Sequence, residues 1–299
     1  MRFARQDDPP VTTSTRALRA LLADDELALV PGCHDALGAL LIAEAGFPAA
    51  YMSGFSVAAS LGKPDLGIIG LPEMAAQAGH IARAVPLPLI VDADTGYGGP
   101  LNVAECVRTF ERAGAAGLHL EDQMQPKKCG AVGGKKLVPI EEMSARIRVA
   151  RNARSDPDFV IIGRTDALTV HGLDETVRRV RAMADAGADA VMVPSLSTEA
   201  ELAAIGRAVE VPAIYLTAET IRPLYTAEQL KAFGFAMAIF PISLIQIIVG
   251  AQRKLLHELK RARSTAAMVP KMASFAEVGR LVGLDAAAAL ERQLEEPGK

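Results

Sequence analysis

Eight times along the chain a short apolar run is followed by a longer amphipathic one, and this alternation constrains the fold more than any single motif. The apolar runs cover residues 27–31, 49–53, 88–94, 117–121, 159–164, 190–193, 212–216 and 235–240. The helical runs between and after them cover 35–45, 72–84, 101–113, 140–153, 173–186, 199–209, 227–233 and 244–263. Continuous apolar strands separated by helices of this length are expected to lie parallel, with both faces covered. Three helices end in a similar phrase: Glu44-Ala-Gly-Phe-Pro-Ala, Arg112-Ala-Gly-Ala-Ala-Gly and Asp185-Ala-Gly-Ala-Asp-Ala. In each, Gly is placed to stop the helix in a left-handed conformation. Eight units predict an α/β fold closed into a (β/α)8 TIM barrel, with an open doubly wound sheet as the alternative. The barrel is expected over residues 15–263, after a flexible polar segment at 1–14. An extension at 264–299 carries two further helical stretches, 274–282 and 285–294, that cap the barrel or reach a neighbouring subunit.

Composition narrows the partners. The chain has 299 residues, half of them hydrophobic, and a net charge of −3 with acids and bases interspersed. With no basic stripe, a nucleic-acid or membrane-surface partner is not expected. The N-terminus lacks an apolar signal region. The longest apolar stretch, 233–250, is interrupted by Pro241 and Ser243 and reads as a buried strand followed by a helix. Three cysteines in a long chain do not form a disulfide framework, so a reducing cytoplasm is expected.

In a parallel barrel the active site gathers at the C-terminal ends of the strands. The second strand ends in Ser53-Gly54, the third in Asp92-Ala-Asp94-Thr-Gly-Tyr-Gly-Gly, the fourth in Glu121-Asp122 and the fifth in Arg164-Thr-Asp166. Asp92 and Asp94 are two apart, so on a strand both face one side. Buried like charges need neutralising. Three carboxylates, Asp92, Asp94 and Glu121, suit Mg²⁺ or Mn²⁺ better than zinc; the alternative is an acid pair neutralised by Arg164 and a Lys. The glycines after Asp94 let backbone approach a ligand. Arg164 has the geometry to grip a carboxylate in bidentate fashion, or to form a structural ion pair. Ser53 and Gly54 can offer backbone N–H groups to an anion, or form a plain turn.

Cys129 lies in a long, polar, Gly-rich loop, 123–137, that reads as a mobile lid at the active rim. Lys127 and Lys128 beside it favour the thiolate, so Cys129 is a candidate proton exchanger; an idle surface thiol is the alternative. Cys33 and Cys106 sit in apolar surroundings and read as inert. His119 reads as a hydrogen-bonded wall residue of the fourth strand.

Several stretches taken together resemble the isocitrate lyase/phosphoenolpyruvate mutase superfamily. These are Asp92-Ala-Asp94-Thr-Gly-Tyr-Gly, Leu120-Glu121-Asp122-Gln123, Pro126-Lys127-Lys128-Cys129-Gly130 and Gly163-Arg164-Thr165-Asp166-Ala167, with support from Tyr51-Met-Ser53-Gly54 and Leu61-Gly-Lys-Pro-Asp65-Leu-Gly. The likeness runs from about Leu18 to Ser274. The Lys-Lys-Cys-Gly loop is specific to lyase-like members, and the nearest pattern is that of 2-methylisocitrate and dimethylmalate lyases. The resemblance implies a homotetramer, a dimer of dimers with the C-terminal helices swapped between subunits. It implies Mg²⁺ on Asp92, Asp94 and Glu121, with Asp65 supporting the metal's waters. Ser53, Gly54 and Phe55 would hold a 2-oxo acid carboxylate. Tyr51, Asp92, Gly130 and Arg164 would contact substrate, with Cys129, Arg164 and Glu121 catalytic.

Three positions depart from that pattern. Ala131 stands where the loop usually has His. A hand alignment sets Pro194 at a usual Glu and Tyr215 at a usual Asn, and Ala218-Glu-Thr-Ile-Arg-Pro223 replaces a Gly-rich stretch. These positions serve the half of the substrate away from the metal, which has lost polar partners that an ordinary methylisocitrate lyase would want; the expected partner is a small-molecule carboxylic acid. The implied activity is carbon–carbon cleavage of an alkyl-malate-like or methylisocitrate-like 2-hydroxy acid. Its rivals are a phosphonate mutase or hydrolase, an oxaloacetate-type decarboxylase and a non-catalytic 2-oxo acid binder.

Overall fold

The computed structural model of the chain describes residues 11–130 and 132–295. Its elements run α1 (Val11–Ala23), β1 (Ala28–Cys33), α2 (Ala36–Glu44), β2 (Ala50–Met52), α3 (Gly54–Ser60), α4 (Leu71–Ala84), β3 (Leu89–Asp92), α5 (Pro100–Ala113), β4 (Gly117–Glu121) and α6 (Ile140–Ala153). They continue with β5 (Val160–Arg164), α7 (Leu168–His171), α8 (Leu173–Asp185), β6 (Ala190–Val193), α9 (Glu199–Gly206), β7 (Ala213–Leu216), α10 (Ala227–Ala232), β8 (Phe235–Phe240), α11 (Ser243–Ala262), α12 (Phe275–Leu281) and α13 (Leu284–Glu295). The strands pair in chain order and β1 pairs in parallel with β8, so the sheet closes and an open sheet is excluded. The three expected helix-stopping glycines all take left-handed backbone, with φ of 80° at Gly46, 94° at Gly114 and 99° at Gly187.

Alternation along each strand separates two cores. Tyr51, Ile90, Ile162, Met192, Ile214 and Ile239 point into the barrel. Leu89, Val91, Leu118 and Ile161 point outward against the helices. Carrying this inward set, with His119 of β4, forward by two brings Ser53, Asp92, Glu121, Arg164, Pro194, Leu216 and Pro241 to one rim. The same period of two thus builds the hydrophobic interior and delivers the site.

Three helices are not expected from the pattern. α3 and α7 are short turns on the rim loops. α1 begins at Val11, so residues 11–14 form its first turn rather than a flexible lead; residues 1–10 lie outside the described residues. Leu18 and Leu22 of α1 pack with Val30, Ile90 and Val160 and plug the N-terminal mouth of the barrel. Gly117 is the residue that admits this plug, since a Cβ there would stand 2.8 Å from the Val160 Cβ and 3.0 Å from Leu18 Cδ2.

Among the described residues, no helix is long and apolar enough to cross a membrane. The stretch 233–250 resolves as the end of the α10 turn, β8 and the start of α11, as expected. α12 and α13 match the two expected tail helices to within a residue or two and carry exposed Phe275, Val282 and Leu294.

Inside the barrel, the Tyr51 hydroxyl lies 2.8 Å from His119 Nε2 and the two rings stack with centroids 5.8 Å apart. Burial pushes the His119 imidazole down to about 4, against the opposing pull of Asp92.

Leu18→Ala, which opens a cavity under the barrel, is expected to cost about 2–5 kcal/mol in urea denaturation. For His119, the unfolded imidazole titrates near about 6.5 and the folded one near about 4, so between them only the unfolded chain binds the proton. Its contribution is whole above pH about 6.5 and drains away as pH falls toward about 4. Denaturation of wild type and His119→Gln at several pH values checks this: the variant should lose less stability across that window.

Candidate active site

β3 leaves the ladder at Asp92, earlier than the sequence pattern indicates. Asp94 lies beyond the strand with φ of 47°, its N–H bonded to Asp92 Oδ1 at 3.0 Å and its carbonyl accepting from the Glu121 N–H at 2.8 Å. The two aspartates therefore meet through a left-handed bend and not through the period of a strand, which corrects the strand-based reason for their pairing. The glycines that follow also have another purpose. A Cβ on Gly96 would meet Val103 Cγ2 at 2.6 Å, and one on Gly98 would meet Asn102 at 2.7 Å. That turn is folded back on α5, so its glycines answer packing rather than a ligand.

Ser53 caps α3 through the Ser56 N–H at 3.3 Å, and the Gly54 N–H donates to Asp92 Oδ2 at 3.1 Å. A Cβ at Gly54 would come within 2.9 Å of that oxygen, so only glycine lets Asp92 sit here. Glu121 and Arg164 are register partners on β4 and β5. Arg164 Nη2 lies 3.2 Å from Glu121 Oε2 and 3.3 Å from Asp166 Oδ2. Its Nε and Glu121 Oε1 are buried without a hydrogen-bond partner. Arg164 thus combines the expected position with an ion pair to Asp166, and keeps one donor in hand.

The lid comes back over this rim. Its base is pinned by the Gln123–Leu137 bridge and by the Met124 N–H to the Lys136 carbonyl at 2.8 Å. Lys127 reaches Asp65 and lies 2.6 Å from Asp94, so its charge serves the carboxylates. Lys128 Nζ is turned to the Gly133 carbonyl at 3.4 Å. Both lysine ammonium groups are thus engaged by oxygens of the rim and the lid. Cys129 is half-buried and lines the cavity, held through its N–H on the Asp65 carbonyl at 3.1 Å. Burial raises the thiols of Cys33, to about 12, and of Cys106, which fits their reading as inert.

Gln123, Lys127 and Asp166 lie within the motifs quoted above, but the sequence assigns neither them nor Lys135 the contacts they make here. Gln123 donates to the Lys128 carbonyl at 2.8 Å and to Asp166 at 3.2 Å, and Lys135 Nζ lies 3.2 Å from Asp166 and also reaches the Gly130 carbonyl. Lys135 is signalled only by its place in the lid, and its partner Asp166 lies just past β5, far along the chain.

The cavity enclosed measures about 790 Å³. Tyr51, Ser53, Phe55, Asp65, Asp92, Cys129, Gly130 and Arg164 all line it. Gly54, Asp94 and Glu121 stand directly behind, bonded to Asp92, Lys127 and Arg164. Pro194 lines it as well, but Tyr215 does not: its ring packs outward on Phe235, centroids 5.7 Å apart, and Leu216 faces the cavity instead. Ala131 lies outside the described residues.

Asp65, Asp92, Asp94, Glu121 and Asp166 set five carboxylates against the three cations Lys127, Lys135 and Arg164. Burial, reinforced by Asp92, raises the Asp94 carboxyl to about 7. Burial likewise raises Glu121, although Arg164 opposes it. Burial also works against ionised Asp92, yet the nearby His119, Lys127 and Arg164 together keep it below the usual carboxylate range. Among the described residues no three acidic, His or Cys side chains form a ready-made metal cage, because Lys127 bridges Asp65 and Asp94 while Arg164 holds Glu121. The donor chemistry still fits a hard divalent cation: all-oxygen donors, two more carboxyl groups than cations, and an orphaned Glu121 oxygen. Mg²⁺ keeps several waters and needs only one or two direct carboxylates.

Known proteins share this arrangement's fold and sequence. A 2,3-dimethylmalate lyase of Eubacterium barkeri is 39% identical over 90% of this chain and 93% of its own. A 2-methylisocitrate lyase of Bacillus subtilis is 40% identical, over 81% and 80%. A chloroplastic carboxyvinyl-carboxyphosphonate phosphorylmutase of Arabidopsis thaliana is 40% identical, over 95% and 85%. Among solved structures, oxaloacetate acetylhydrolase with 3,3-difluorooxalacetate superposes with a TM-score of 0.91 at 36% identity, covering 98% of this chain and 100% of that one. Phosphonopyruvate hydrolase with oxalate and Mg²⁺ superposes with a TM-score of 0.87 at 33% identity, covering 95% and 99%. Residues 18–260 match the phosphoenolpyruvate phosphomutase family, and the chain, with its closed barrel and lyase relatives, is an enzyme of the phosphoenolpyruvate mutase/isocitrate lyase superfamily.

Proposed function

We propose that the chain is a Mg²⁺-dependent lyase that cleaves the carbon–carbon bond of a 2-hydroxy acid, giving a 2-oxo acid and a carboxylate. The observation that carries this reading is one cavity bordered by a cluster of more carboxyl groups than cations and lined by an arginine and a lid cysteine. When bound at Asp92, Asp94 and Glu121, with Asp65 behind, a divalent cation supplies Lewis-acid polarisation of the substrate's oxygens. Ser53, Gly54 and Phe55 seat the 2-oxo acid carboxylate. Arg164 grips the second carboxylate, using the Nε that has no partner within the protein. The substrate's hydroxyl proton passes to a carboxylate of the cluster. Cys129, brought in by the lid, donates the proton that quenches the carbanion. The barrel of 15–263 is the catalytic unit. The apolar faces of α12 and α13 support their seat on a neighbouring subunit in a homotetramer.

Cys129→Ser is expected to retain Mg²⁺ binding by calorimetry while turnover falls about 10²–10⁴-fold; full activity would remove the thiol from the chemistry. EDTA is expected to abolish 2-oxo acid release, with Mg²⁺ or Mn²⁺ restoring it. The same coupled assay, run on alkylated malates, methylisocitrate, oxaloacetate and phosphonopyruvate, separates the lyase from its rivals. Release from phosphonopyruvate alone would make the enzyme a phosphonate mutase or hydrolase, and pyruvate binding without any turnover would make it a binder.

A further inference from the structure

Lys127, Lys135 and Arg164 line the cavity, and the chemistry above accounts for two of them. Lys127 balances Asp65 and Asp94, and Arg164 pairs with Glu121 while its Nε stays without a partner. Lys135 sits 3.2 Å from Asp166, an acid that already has Arg164 and the Gln123 amide. Only 3% of its side chain is exposed. Burying an ammonium is costly, and a lysine in a loop can keep its charge in water. What Lys135 gains by turning inward is a bond to the Gly130 carbonyl.

That carbonyl belongs to the residue after Cys129. On the other flank, the Lys128 N–H donates to Gln123 Oε1 at 2.9 Å, and the Gln123 amide donates to the Lys128 carbonyl at 2.8 Å and to Asp166 at 3.2 Å. The backbone on both sides of the thiol is therefore tied to one carboxylate, through Gln123 before it and through Lys135 after it. Asp166 is itself fixed by its N–H on Asp122 at 3.0 Å, within the acidic arc formed by the ends of β2 to β5. Gly130 comes so near that a Cβ on it would stand 2.8 Å from Arg164 Nη2 and 3.3 Å from Asp166 Oδ1. Lys135 makes this reach from a pinned base, since the Gln123–Leu137 bridge and the Met124 N–H to the Lys136 carbonyl hold the backbone beside it.

We propose, resting on the lyase reading above, that Lys135 is a positioning residue: by clamping the Gly130 carbonyl to Asp166 it sets where the Cys129 thiol stands relative to Arg164. The proton donor and the arginine that grips the second carboxylate then share one reference group, so the carbanion forms within reach of the thiol. Lys135 acts through Gly130 and takes no part in the proton transfer itself. Without it the substrate still binds, but the thiol is out of place when the carbanion needs its proton.

The test compares wild type with Lys135→Met and Lys135→Ala, two variants so that one failing to fold leaves the other. Alkylation of Cys129 by iodoacetamide, followed by mass spectrometry of its peptide with Mg²⁺ and oxalate present, should quicken about tenfold or more, the effect of losing one charge-assisted hydrogen bond. For 2-oxo acid release kcat should fall about 10²-fold, the scale for a reacting group displaced by an ångström. KM should move far less, and the solvent deuterium isotope effect on kcat should rise as protonation becomes limiting. A folded variant with the wild-type alkylation rate and isotope effect overturns the inference, even with a lowered Tm, because Lys135 then supports the fold alone. A raised KM with kcat kept also overturns it, since that marks a substrate ligand. If wild type itself turns over no 2-hydroxy acid, the lyase reading fails, and the alkylation rates decide the placement of Cys129 separately.

Discussion

The fold's chemistry turns on a charge imbalance buried at the C-terminal rim of the barrel. Five carboxylates there face three cations, and each acid is held by a different device. Asp92 is stabilised by the N–H groups of Gly54 and Asp94, Asp94 by Lys127, and Asp166 by Arg164, Lys135 and Gln123. Buried ion pairs are expensive to assemble and rarely add net stability, so such a cluster marks a site that needs the charge for chemistry. It also explains the lid. Lys127 and Lys135 stand on either side of Cys129 in sequence, and their partners Asp65 and Asp166 stand on different barrel loops. Attraction to the rim therefore draws the loop down on both flanks of the thiol, and the position of Cys129 depends on the carboxylates beneath it.

A second network keeps the acidic arc rigid from outside. Glu121 and Asp122 are successive, so Glu121 faces the barrel axis and Asp122 the helix layer. Asp122 there accepts from the Thr165 hydroxyl at 2.6 Å, the Asp166 N–H at 3.0 Å and Arg179 at 3.0 Å. Arg179 also donates to the Val138 carbonyl at the foot of the lid. β4, β5, α8 and the lid's base are thus tied through one carboxylate. Fixing the backbone at Asp166 fixes the partner that orients Arg164.

The opposite arc is tied more sparsely: the Ser243 hydroxyl donates to the Glu219 carboxylate, the Ser197 N–H to Glu201 and the Tyr225 hydroxyl to the Ser197 carbonyl. Pro194 and Leu216 are set by strand register alone, and packing behind them comes from the cluster of Val191, Val193, Leu202 and Tyr215. One barrel therefore combines a half specified by a dense net of hydrogen bonds and ion pairs with a half lined largely by apolar side chains and hydroxyls. The first suits the reacting centre, where geometry must be held closely. The second suits a region in which binding energy scales with buried area.

Periodicity is legible in the chain because it is local: strand and helix repeats report which face is buried, and eight repeats imply closure. Hence the barrel, the rim and the residues Asp92, Glu121, Arg164 and Cys129 can be read from the amino acids alone. The meeting of Asp92 and Asp94 also follows from the pattern, but for the wrong reason, since a left-handed bend after Asp92 is set by contacts with β4. The glycines at 96 and 98 read as ligand-facing, but α5, which crowds them, is visible only in space. Alignment places Tyr215 toward the substrate, whereas the register of β7 turns it outward and puts Leu216 in its stead. The sequence by itself determined the architecture and the list of chemically competent groups. Tertiary structure alone decided which cation neutralises which acid, and where the lid lysines point. Those outcomes depend on distances between residues far apart in the chain, and barrel closure sets such distances where local pattern does not.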